Sequence, residues 1–157
     1  MKRPVLAWVI SLFASAVFAC ECGWVAVVNG QRTMSSEPPP LSTSELKDYT
    51  AVFSGTVESL DVHRIPKKHC DGCFSEDLVV TFQVSSSWKG VRGGEFVVRT
   101  PRSGAACGYG FELGQEYLVY VQKGAPDFRY GVDSCSRTKK LALAVHEIEF
   151  LEDHKTR

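Results

Sequence analysis

The sequence carries no excess charge of either sign: eighteen lysines and arginines face eighteen aspartates and glutamates, a formal net charge of zero at pH 7. That balance excludes the basic footprint by which nucleic-acid binders neutralise phosphates, so no nucleic-acid partner is expected. No internal repeat and no linker between two compositional halves is present, so the 157 residues are read as one domain. Nucleotide chemistry is missing too, because Gly108-Tyr109-Gly110 lacks the third glycine and the strand and helix that cradle a pyrophosphate. The serines form no nucleophile motif, His146 and His154 are isolated, and Glu147, Glu149, Glu152 and Asp153 read as a solvated face. The chain is therefore expected not to be an enzyme.

What is present is an ordinary globular composition, 44% apolar and 11% aromatic, which excludes a disordered or collagen-like chain. It starts with the basic pair Lys2 and Arg3, then an apolar stretch from Val5 to Phe13, then small residues ending at Val17-Phe18-Ala19. This order predicts a signal peptide over 1–19 and an exported domain over 20–157, secreted, periplasmic or at the cell surface. The apolar part is shorter than the ~20 residues that a bilayer span requires, and no basic stop follows it. Val17-Phe18-Ala19-Cys20 is also a loose bacterial lipoprotein box, which would attach lipid to Cys20. Removing Lys2 and Arg3 leaves two more acidic than basic groups, so charge still names no partner.

Period-two patterning dominates the remainder. Residues 51–62 are β-branched and apolar, with Gly55 as a bulge. Leu78, Val80, Phe82, Val84 and Trp88 share one parity, which predicts a strand with one buried face. Segments 95–100, 116–122 and 127–133 repeat the behaviour between glycine-rich turns. The proline-rich stretch 34–44 reads as an exposed loop, and Ser42 with Glu45 as the capping box of a short helix through Tyr49. Leu141, Val145, Ile148 and Leu151 are spaced for an amphipathic helix over 140–151. The expected fold is mainly β, a five-stranded OB-like Greek-key barrel with a short N-terminal helix and a C-terminal helix.

Six cysteines in so short an exported chain imply bridges. Cys70 and Cys73 enclose a two-residue turn and suit one another. Cys20 and Cys22 are poor mutual partners, which leaves Cys107 and Cys135 for them in either combination. Such bridges would immobilise the residues that most domains leave frayed, and each long loop closed is worth roughly 4 to 5 kcal/mol in the chain-entropy model. A fixed N-terminal amine, with a pKa near ~8, can present a neutral nitrogen beside its carbonyl oxygen to a metal. His63, His69, Cys70 and Cys73 offer ligand types for zinc, but in an oxidising compartment the two thiols should bridge at a solvated Lys67-Lys68-His69 tip. No βαβ pattern surrounds this C-x-x-C, which a thioredoxin-like redox centre would require. Phe74 instead of histidine after Cys73 removes c-type haem.

The start Cys20-Glu21-Cys22, the run Ala51-Val52-Phe53-Ser54-Gly55-Thr56-Val57, Phe82-Gln83-Val84 with Trp88-Lys89-Gly90, Thr100-Pro101, Cys107-Gly108-Tyr109, Gly114-Gln115-Glu116-Tyr117-Leu118-Val119-Tyr120, and Cys135 before the last helix form one constellation. It covers most of the chain after residue 19 and resembles the tissue inhibitors of metalloproteinases among the netrin-like domains, particularly their short exported bacterial relatives. The resemblance implies an OB-like barrel with bridges Cys20–Cys107 and Cys22–Cys135. It also implies that the amine and carbonyl of Cys20 chelate the catalytic zinc of a target metalloproteinase, while Glu21, beside Cys22, enters the substrate pocket as the specificity residue. The chain itself would hold no metal or cofactor and act as a monomer; the other partner class is a further extracellular protein, bound without inhibition. Two features depart from the family pattern. Glu21 requires a target pocket that supplies a cation, since a buried unpaired carboxylate is costly. A further N-terminal cysteine and a second domain are missing, so the match is to the minimal N-terminal domain.

Overall fold

The computed structural model describes residues 20, 22–35, 37–124 and 130–155. The expected signal segment 1–19 and Glu21 lie outside the described residues. The fold is mainly β, and the described residues form a six-stranded sheet, a separate two-stranded hairpin and two α-helices.

The hairpin comes first: β1 (Trp24–Val28) pairs antiparallel with β2 (Gln31–Ser35). Asn29 and Gly30 between them have φ of 52° and 78°, the doubly left-handed turn that matches the twist of adjoining strands. A short helix α1 (Thr43–Leu46) follows, its Ser42 hydroxyl accepting the Glu45 N–H at 3.3 Å. The capping signal is thus placed as expected, but the helix stops at Leu46 and does not reach Tyr49. The expected loop over 34–44 is shortened at its start, because Met34 and Ser35 complete β2.

β3 (Ala51–Pro66) and β4 (Phe74–Lys89) form a long antiparallel hairpin, and β5 (Gly94–Pro101) continues from β4. β6 (Glu116–Lys123) pairs antiparallel with β3, and the two-residue β7 (Tyr130–Gly131) joins β5 to β6. Strand pairing therefore runs β3–β4–β5–β7–β6 and back to β3, while β8 (Lys139–Lys140) adds a sixth strand beside β6. The expectation of five strands is corrected to six in this sheet, because a two-residue pairing such as β8 leaves no periodic trace in the sequence. Of the strand expected over 127–133, residues 130–131 are strand and 125–129 lie outside the described residues. The final helix α2 (Val145–Asp153) begins later than expected, behind a 3₁₀ turn over Leu141–Leu143.

Alternation along β3 and β6 builds two cores on opposite faces. Ala51, Phe53, Val57, Tyr117, Val119 and Val121 face inward with Val80, Phe82, Val98, Phe111 and Val132. Val52, Leu118 and Tyr120 face outward, where Leu41, Tyr49, Ala144 and Leu151 cover them. Each such side chain taken fully from water contributes about 1.5–3 kcal/mol. Phe82 touches Phe53 and Phe111 edge-on, with ring centres 5.4 and 5.2 Å apart. Gly55 sits at a register shift, and a Cβ there would come within 2.7 Å of the Gln83 carbonyl oxygen. Period-two parity puts Trp88 with Phe82, whereas Trp88 packs against the outward core; register shifts between Val84 and Lys89 exchange the faces.

Burial also holds phenols in their neutral form. Removal from water, with smaller contributions from Tyr117 and Glu112, pushes Tyr109 up to about 12, and burial raises Tyr49 and Tyr120 further. The unfolded chain ionises these phenols near ~10, so their contribution to stability is complete below about pH 10 and is lost as pH climbs towards 12. Urea unfolding across that range should show falling stability, with these three phenolates appearing together on unfolding at pH 11. Constant stability between pH 10 and 12 contradicts this.

Candidate functional site

All six cysteines are paired: Cys20 with Cys107, Cys22 with Cys135, and Cys70 with Cys73. The first two pairs, those the family resemblance implies, lie side by side with Cα separations of 5.2 and 5.0 Å. They fasten residues 20 and 22 to two loops that local geometry already fixes. Such bridges are compatible with an extracellular protein.

Cys107 closes the 3₁₀ turn Gly104–Ala106 in the left-handed conformation, φ 63°. Gly108 follows because its backbone passes so close to the Pro101 carbonyl that a Cβ would collide with it. Gly108 N–H donates to Ser103 O at 3.0 Å, and Tyr109 N–H to the buried Thr100 hydroxyl at 2.7 Å. Cys135 occupies a second turn, where its N–H donates to Asp133 Oδ1 at 2.9 Å and Ser136 N–H to Asp133 O at 3.1 Å. One bond joins the loops, from Ser134 N–H to Cys107 O at 2.8 Å.

Two residues further on, Arg137 is 2% exposed and gathers the chain-distant pieces around this end of the molecule. Its Nε donates to Glu45 Oε1 at 2.6 Å, its Nη2 to Glu45 Oε2 at 2.9 Å and to the Pro39 carbonyl, and its Nη1 to Glu147 Oε1 at 3.4 Å. The guanidinium also lies 5.4 Å from the ring centre of Trp24, tying β1 to α1, α2 and the proline-rich loop. Sequence reading did not find this residue, because its partners are up to 98 positions away and Ser-Cys-Ser-Arg-Thr reads as a polar turn. The hairpin β1–β2 was passed over as well, although Asn29-Gly30 beside a valine-rich run is a signal that could have found it.

Cys70 and Cys73 sit at the far tip of the β3–β4 arm with Lys67, Lys68 and His69 exposed around them. Below the tip, hydrogen bonds from Arg64 and Arg102 hold the Glu76 carboxyl below the usual carboxylate range. His63 and His69 are not gathered with this pair into a metal-sized set; among the described residues that property belongs to Cys20, Cys22 and Cys135. No described helix is long and apolar enough to cross a membrane. No protein-family model matches the chain, and no curated protein matches it.

Replacing Arg137 with alanine should lower the unfolding free energy by about 3 kcal/mol, because Glu45 and Glu147 then face one another around an emptied site. Lysine at 137 should recover part of that loss, since an ammonium cannot hold the Glu45 carboxylate with two parallel donors. An unchanged urea midpoint in R137A contradicts the assignment.

Proposed function

We propose that this chain is an exported, monomeric, netrin-like inhibitor of zinc metalloproteinases, built on an OB-like barrel and acting through its N-terminus after cleavage behind Ala19. The observation that carries the reading is the double fastening of the chain start: Cys20 and Cys22 are each bridged onto a hydrogen-bonded loop. The closed ring of strand pairing supports the barrel assignment.

In this mechanism the inhibitor performs no chemistry. Cleavage converts the amide nitrogen of Cys20 into an amine, and its neutral form and the Cys20 carbonyl oxygen bind the target's zinc in a bidentate manner. The zinc-bound water that the protease uses as nucleophile is displaced. The bridge to Cys107 means that little conformational freedom is lost on binding, which raises affinity without adding contacts. Glu21 would enter the neighbouring pocket and select a target that offers a cation there.

A second reading is a binding module that inhibits nothing. It is favoured by the exposed apolar side chains of the N-terminal hairpin, Val25 at 54% and Met34 at 74% exposure. The two readings separate in one experiment. Protein beginning at Cys20 and protein retaining Ala19 are assayed against a panel of zinc metalloproteinases with a peptide substrate. The inhibitor reading predicts inhibition by the first form and at least a hundredfold loss in the second, because an amide nitrogen is no ligand. Equal inhibition by both forms, or by neither, overturns it.

A further inference from the structure

The two bridges at the chain start are neighbours at the level of their sulfur atoms. Cys20 Sγ lies 3.6 Å from Cys135 Sγ, although the two belong to different bridges. The sulfurs of Cys20, Cys22 and Cys135 all lie within 4.8 Å of one another, and the sulfur of Cys107 is bonded to that of Cys20. Three of the four sulfurs therefore already lie at metal-ligand spacing, and the fourth, that of Cys107, is attached to one of the three. Zinc bound by four thiolates at ~2.3 Å sets its sulfurs about 3.8 Å apart at the corners of a tetrahedron. The contact between Cys20 and Cys135 already has that spacing. On reduction each bonded pair must part to a similar distance and the Cys107 sulfur must turn towards those of Cys22 and Cys135, movements that rotation about the cysteine side-chain bonds supplies.

The positions of two ligands do not depend on the bridges. Cys107 and Cys135 stay adjacent through the bond from Ser134 N–H to Cys107 O, and each is fixed within its own turn by backbone donors. The stacking of Arg137 on Trp24 holds the start of β1 beside them. Ser134 Oγ lies 3.7 Å from Cys20 Sγ and 4.0 Å from Cys22 Sγ, where a hydroxyl can donate to a thiolate and steady it as a ligand.

We infer that the reduced chain binds one zinc ion through Cys20, Cys22, Cys107 and Cys135, and that formation of the two bridges expels it. Two dithiol molecules reduce the two bridges, each giving up two electrons and leaving as a cyclic disulfide. The four protein thiols then lose four protons as the ion binds, so affinity falls as pH falls. In the opposite direction two reactive disulfides each accept two electrons, the bridges form, and the zinc leaves. The metal thus holds the chain start against the domain in the state that precedes oxidation. This site is independent of the inhibitor reading, which concerns the amine of Cys20 and the zinc of another protein.

The test uses the full chain with Cys70→Ser and Cys73→Ser, reduced by a phosphine so that no small thiol competes, and titrated anaerobically with Co²⁺ and then Zn²⁺. The expected result is one Co²⁺ per chain with the intense visible bands of a tetrahedral thiolate site, displaced by Zn²⁺. Cys20→Ser, Cys22→Ser, Cys107→Ser and Cys135→Ser should each weaken binding at least tenfold, and the oxidised chain should bind no metal. Near-UV circular dichroism is followed in the same titration; if the reduced metal-free chain loses its native signal, zinc must restore it. Absence of stoichiometric binding, a weakly absorbing octahedral cobalt spectrum, or equal affinity in the four serine variants overturns the proposal.

Discussion

Between Ala51 and Thr56 the backbone of β3 is bonded to β6 on one edge and, from Val52 onward, to β4 on the other. Its side chains point alternately into the inward core and into the layer under the helices. β6 is divided in the same way, so this strand pair is the common wall of two cores and has no solvent face between Tyr117 and Val121. A slip of one residue would exchange the contents of both cores at once, which makes its register the constraint on which the other elements depend. Gly55 permits the close passage of β4 at one point along this wall.

Cys20 and Cys22, which carry the proposed function, are secured from outside that wall. Thr138 lies next to it, its hydroxyl accepting the Tyr120 N–H at 3.0 Å, so the segment 133–138 is anchored to β6 where it leads into β8. Cys135 and Arg137 lie on this segment and take hold of Cys22, Trp24, Glu45 and Glu147. Covalent and ionic ties thus converge on one short loop. Buried ion pairs contribute little net energy relative to well-packed apolar groups, but removing one partner is strongly destabilising, so such a network fixes arrangement more than it adds stability. Two neighbouring cysteines, Cys20 and Cys22, each held by a bridge, are consistent with a recognition element that must not move.

Much of the sheet was legible because its signals are periodic and local. The parity of Leu78, Val80, Phe82 and Val84, the interruption at Gly55 and the cap at Ser42 each sit where the alternation and turn chemistry put them. Trp88 escaped because a parity argument cannot count bulges, and β8 because two residues carry no period. Cys20, Cys22, Cys107 and Cys135 were legible as a set, since the spacing excluded Cys20 with Cys22. Which of them meets Cys107 came from family resemblance, and the contact between the two bridges came only from coordinates. Arg137 illustrates the general limit: a residue whose partners are distant along the chain and of three different kinds leaves no motif.

The central claim is that the functional end of this protein is a bridged cysteine with a free amine. It is tested most directly by non-reducing peptide mapping of the protein purified from its native host, with mass spectrometry of the peptide that contains Cys20. The account predicts a peptide that begins at Cys20, unmodified on nitrogen, and joined through sulfur to the peptide of Cys107. A peptide that retains residues before Cys20, or a Cys20 whose sulfur carries lipid in place of Cys107, contradicts it.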